Sequence, residues 1–121
     1  MARVIERGWV GHYICSHRCM FKRNTLIVGD KDSVVVSTVG GMRPTDGRNG
    51  LETIGHKRYY ETMVFGAKND GEYIEADVQD QRDFDGEWSI CADSWQDLPK
   101  DVDNRANEMH EKIVAKFANE I

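Results

Sequence analysis

Residues 59–79, YYETMVFGAKNDGEYIEADVQ, decide the fold. Asn69-Asp70-Gly71 interrupts two alternating runs at a point where positive φ is tolerated, by glycine without steric cost. Beyond it Ile74, Ala76 and Val78 fall on one side and Tyr73, Glu75, Asp77 and Gln79 on the other, the two-residue period of a half-buried strand. The stretch is expected to be a β-hairpin at the centre of a sheet.

Upstream, Met20 to Val28 and Ser33 to Val39 (SVVVSTV) read as two further strands joined by a turn at Gly29-Asp30-Lys31-Asp32. The second is rich in β-branched side chains, whose stiff χ1 suits a pleated surface, and the pair should run antiparallel. Strand parity places Lys22 and Asn24 on one face and Phe21, Arg23 and Thr25 on the other. Arg23 would line a polar pocket if one lies on the sheet, and otherwise faces solvent. Downstream, Trp88 to Ala92 could add a short strand. Phe84, Trp88 and Trp95 are set among acids: the tryptophans are expected to plug the core, and Phe84, between Asp83 and Asp85, to offer an exposed stacking ring.

The clearest helical period is at the C-terminal end, where Val102, Ala106, Met109, Ile113, Phe117 and Ile121 recur at threes and fours. Pro99 precedes this helix, and Asp101 or Asp103 is expected to cap its first turn. Arg105 sits in that turn, where an anion is welcome. The apolar stripe must be covered by its own sheet or by another protomer.

These elements make one α+β domain over residues 1–121: an anchoring arm (1–19), an antiparallel sheet of four to five strands (20–92) and an amphipathic helix (101–121). The arm should lay Trp9 on the domain's own sheet or on a partner. No apolar run approaches the roughly 18 residues of a membrane span, and the charged MARVIERGWV start lacks the apolar core of a secretory signal. A cytoplasmic protein is expected. Cys15, Cys19 and Cys91, an odd set, are expected to be free thiols.

The net charge of -5 conceals an asymmetry: residues 1–68 hold eleven Lys or Arg against six acids, whereas residues 69–103 hold twelve acids against Arg82 and Lys100. A dipolar chain of this kind attracts an anionic ligand to one region, while the other repels nucleic acid or pairs with a basic surface. Gly40 to Arg58 (GGMRPTDGRNGLETIGHKR) combines five glycines with Arg43, Arg48, His56, Lys57 and Arg58. Such a loop can place guanidinium forks around phosphates, yet neither GxxxxGK[ST] nor GxGxxG is present, and a mobile surface connection is the better account of it. His12, Cys15, His17 and Cys19 lie within eight residues but lack the C-x2-C knuckle and distant second pair of a structural zinc site, so no metal is expected.

As a layout, an anchoring arm, a small antiparallel sheet and a closing helix resembles the Thoeris anti-defence proteins of phages. That resemblance implies a homodimer or larger assembly that sequesters a cyclic ADP-ribose signal in the host bacterial cytoplasm. It would do so without cleaving the signal and with no catalytic residue, cofactor or direct nucleic-acid binding. The matching positions are Arg58 in HKRYY, Phe84 in RDFDGEW, Arg105 in DNRANEMHEK and Arg23 in CMFKRNTL. The acids beside Phe84 depart from what an anionic ligand prefers.

A reading of a different class takes the acidic span 69–103 as the surface of an inhibitor that mimics nucleic-acid phosphates toward a basic defence nuclease. An enzyme using His12, Cys15 or Cys19, or His56 and His110, ranks below both, because no spacing forces these groups into contact.

Overall fold

A computed structural model describes residues 2–7, 18–69 and 74–121, except for the side chains of Arg7, Asn69, Ile74 and Glu75. Among the described residues six strands form one antiparallel sheet: β1 (Arg3–Arg7), β2 (Cys19–Val28), β3 (Ser33–Met42), β4 (Arg58–Asn69), β5 (Ile74–Arg82) and β6 (Ser89–Cys91). A 3-10 turn (Trp95–Asp97) leads to helix α1 (Val102–Glu120). The strand order is β1-β2-β3-β4-β5, and β6 pairs with the N-terminal part of β4, where β5 has ended. The expected sheet is therefore present, extended by β1, which pairs Arg3 through Arg7 with Val28 through Asn24. The arm's Trp9, the ligand candidates His12, Cys15 and His17, and the Asp70-Gly71 turn lie outside the described residues. Cys19 is buried, and Cys91 is free and exposed.

Both faces of the sheet carry apolar layers, so the central strand β3 is buried from Val34 to Met42. On one face Ile27, Val34, Val36 and Val64 receive Met109, Ile113, Val114 and Phe117 of α1. This is the stripe that the helical period marks out, covered by the chain's own sheet. On the opposite face Leu26, Val35, Phe65 and Ala76 cluster with Ile5, Val28 and Met63. Each fully buried aliphatic side chain contributes about 1.5 to 3 kcal/mol of transfer free energy.

Strand parity in β2 is as expected, since Phe21, Arg23 and Thr25 all face α1. Between helix and sheet runs a buried polar seam. His110, with no exposed surface, lies with Nε2 2.7 Å from Thr25 Oγ1 and Nδ1 2.7 Å from Thr38 Oγ1, which is in turn 2.6 Å from Thr62 Oγ1. Thr25 donates to the Glu6 carboxylate at 3.2 Å. A carboxylate only accepts, so Thr25 must accept from His110, which fixes the Nε2–H tautomer. Thr38 then donates to Nδ1 and accepts from Thr62.

Three expectations need correction. The alternation of β5 stops at Val78, which is 37% exposed. The ladder passes from Gly66↔Asp77 to Phe65↔Gln81, so residues 78–80 form a bulge. A β-carbon on Gly66 would overlap the Asp80 carboxylate that enters there to clamp Arg82, which also reaches Asp32 at 2.7 Å. The helix cap also differs: Asp101 occupies the N-cap position without a side-chain cap hydrogen bond, and Asp103 accepts instead from the Tyr60 hydroxyl at 2.7 Å. Finally, Trp88 and Trp95 are 42% and 40% exposed rather than core plugs. Trp88 precedes the three-residue β6, so the inward parity of Ile90 does not extend to it. Trp95 lies against Gly50, where a β-carbon would come within 2.5 Å of the indole Nε1.

Candidate functional site

The turn after β5 divides two clefts. The first, about 470 Å³, is lined by Arg58, Glu61 and Thr62 of β4, Gln81 at the end of β5, and Asp83, Phe84 and Trp88 of the turn. Three features hold Arg58. Its Nε donates to Glu61 at 2.9 Å, its guanidinium lies 5.0 Å from the centre of the Trp88 ring, and Gly55 leaves the room that a β-carbon would take from it. The register forces this arrangement: β6 pairs Glu61 with Ser89, and Thr62 donates its backbone N–H to the Trp88 carbonyl.

Phe84 lines the same cleft but is not the exposed ring expected from its acidic neighbours. It is half-buried, edge-to-face with Phe117 at 6.1 Å and packed on the main core cluster. The flanking acids face solvent while the ring turns inward, because its apolar partner comes from α1, 33 residues along the chain. Phe84 can therefore present only part of its ring to a ligand.

The second cleft, about 350 Å³, is lined by Asp85 and Glu87 from the turn and by Arg105, Glu108, Met109, Lys112 and Lys116 from α1, three cations against three acids. Arg105 is 61% exposed, with Asp101 4.0 Å away. Its solvated position keeps it available to an anion, at the modest strength of an exposed charge. Arg58 and Phe84 thus meet in one cleft, and Arg105 stands in the adjoining one.

Arg23 is elsewhere and already engaged. It donates to Glu6 at 2.8 Å, to Asn107 at 3.3 Å and pairs with Glu111 at 2.7 Å, stapling β1, β2 and α1. The Glu6 hydrogen bond raises its pKa above the ordinary arginine value, and Glu111 adds to the shift. Burial works against the Glu6 carboxylate, but the hydrogen bond and charge of Arg23 hold its pKa below the ordinary value. A guanidinium shared between two carboxylates has little charge left for a ligand.

Three contributors had no sequence-level assignment to a site. Trp88 is expected from the sequence to plug the core, and Glu61 and Gln81 belong to strands whose register only the folded sheet defines. Lys112 and Lys116 follow Arg105 and Glu108 along one side of α1. Burial strongly depresses the His110 pKa, to about 4, and the charge of Arg23 adds to this while Glu6 and Glu111 oppose it. His110 thus serves as a neutral strut inside the core, and it makes no contact with His56 in any described bond.

Among the described residues no group of three or more His, Cys, Asp or Glu is placed to hold a metal ion. No described helix is long and apolar enough to cross a membrane. No family model matches the chain, and neither curated proteins nor solved structures give a significant match.

Proposed function

We propose that the chain is a binding protein that sequesters a cyclic nucleotide signal of the cyclic ADP-ribose class without cleaving it, as a phage-type anti-defence factor in the host bacterial cytoplasm. The observation that carries this reading is the meeting of Arg58, Phe84 and Trp88 in one cleft of about 470 Å³. Aromatic surface and a guanidinium held over a ring suit a nucleobase, and stacking contributes about 1 to 3 kcal/mol per base. That cleft carries one cation against Glu61 and Asp83, so it suits the base and ribose better than phosphates. The phosphates would turn to the adjoining cleft, where Arg105, Lys112 and Lys116 stand against Asp85, Glu87 and Glu108, one cation for each acid. Glu61 is already hydrogen-bonded to Arg58, which argues against its use as a catalytic base. A homodimer or higher assembly, with α1 facing the partner, would close the open side of both clefts.

Calorimetric titration with cyclic ADP-ribose isomers tests the assignment. Arg58→Ala should weaken binding at least tenfold and Arg105→Ala severalfold, whereas unchanged affinity in both variants would remove the site.

A second reading has its own observation: Asp83, Asp85 and Glu87 are exposed on the turn and none of them is in a salt bridge among the described residues. They suit an inhibitor of a basic defence nuclease. Charge reversal of these three would then abolish binding to such a nuclease, while Arg58→Ala would leave it intact.

A further inference from the structure

The basic glycine-rich loop has a structure that the clefts beside Phe84 do not use. Residues 43–51 leave the end of β3 and return through a bridge in which Glu52 N–H donates to the Met42 carbonyl at 2.8 Å. Arg18 locks the loop's start, donating from Nε to the Arg43 carbonyl and accepting the Arg43 N–H through its own carbonyl, each at 3.0 Å. The carboxylates of the loop are engaged: Glu52 by Arg18 and Arg48, and Asp46 by the Arg48 side chain and N–H. The Arg43 guanidinium is exposed and has no ion-pair partner among the described residues.

Gly47 (φ 78°) and Gly50 (φ 102°) turn the chain through the left-handed region, and the Trp95 indole backs Gly50. The result is a cleft of about 450 Å³ with Arg43 and Arg48, the polar Thr45 and Asn49, and Met20, itself 63% exposed, and Pro44. Arg18, Arg43 and Arg48 against Asp46 and Glu52 leave one net positive charge, in a chain of net charge -5.

We propose that this loop is a second, independent binding site, for a phosphate monoester attached to an apolar or aromatic body. Arg43, the guanidinium of the cleft left unpaired among the described residues, takes the phosphate oxygens, Arg48 stays in its pairs with Asp46 and Glu52, and Met20 with Pro44 supports the body. The proposal does not depend on the reading of the Arg58 cleft.

The test is amide chemical-shift titration of the whole chain with inorganic phosphate and, separately, phenyl phosphate. Both probes should shift the amides of residues 45–50 saturably, with phenyl phosphate the tighter. Arg43→Ala should weaken both at least tenfold with the melting temperature unchanged, because the guanidinium is solvated. Met20→Ser should remove the advantage of phenyl phosphate, and Arg58→Ala should change neither titration. Non-saturating shifts, or an Arg43→Ala variant that binds as well as the parent, would overturn the site. Equal affinity for the two probes would overturn the role of Met20 and Pro44.

Discussion

Acidification should unlock the seam between helix and sheet, because His110 is neutral and completely buried with both ring nitrogens hydrogen-bonded. Its folded pKa of about 4 lies below the roughly 6.5 of an unfolded histidine. Between those values the unfolded chain binds the proton more readily. The stability that this group contributes is therefore whole above pH 6.5 and is lost as pH falls through 4. Each pKa unit of separation corresponds to about 1.4 kcal/mol, so the loss should reach about 2 kcal/mol at pH 5 and about 3 kcal/mol at pH 4.

The groups around the ring bear on this in known directions. Arg23 disfavours the imidazolium, while Glu6 and Glu111 favour it without reversing the effect of burial. Glu6, itself held below its ordinary value, adds acid sensitivity only at lower pH. The assay is urea unfolding at half-unit pH steps for the parent and for His110→Gln, which cannot titrate. Stability of the parent should fall more steeply by about 3 kcal/mol across the window, and nitrogen chemical shifts should show the Nε2–H tautomer at neutral pH. Parallel pH profiles, or a His110 titration midpoint near 6.5, would refute the reasoning.

Gly66→Ala should cost roughly 1 to 3 kcal/mol by forcing Asp80 out of the β5 bulge, and adding Asp80→Ala should recover most of the loss in urea unfolding; equal loss in both backgrounds would show that the overlap is not the cause. Phe84→Ala removes a half-buried ring from Phe117 and should destabilise by about 2 kcal/mol as well as weaken nucleotide binding, two effects that denaturation and calorimetry separate. Burial and the neighbouring Asp103 carboxylate raise the Tyr60 pKa, so an ultraviolet titration should show a step above the usual tyrosine range, and Tyr60→Phe should remove that step at a cost of about 1 kcal/mol.

The parts of the fold that were legible in the sequence are those whose signal is local and repeated. The β-branched run of β3 and the threes-and-fours stripe of α1 each specify an element and a buried face without reference to the rest of the chain. His110 lies beside that stripe, yet the sequence offered it only as a partner for His56, and its burial between Thr25 and Thr38 is seen only in the folded chain. What was not legible depends on partners far away in sequence. Strand β1 is five residues long and is stabilised by pairing with β2 and by the Glu6–Arg23 contact, neither of which is visible in RVIER itself. Asp83 and Asp85 suggested an exposed Phe84, but Phe117 turns the ring inward. The β5 alternation failed at a bulge that needs Gly66 on one strand and Asp80 on the other. For the site, the residue types at Arg58 and Arg105 were readable, whereas the cleft that joins Arg58 to Trp88 follows from the β4–β6 register.

Sequestration without chemistry is tested most directly by saturating the protein with a cyclic ADP-ribose isomer, denaturing it by heat and identifying the released nucleotide by mass. At 100 times the dissociation constant the ligand should stabilise the fold by about 2.7 kcal/mol, and it should be recovered unaltered and in stoichiometric amount. A flat thermal response with every isomer, or release of a cleaved product, would contradict a protein built to hold this signal intact.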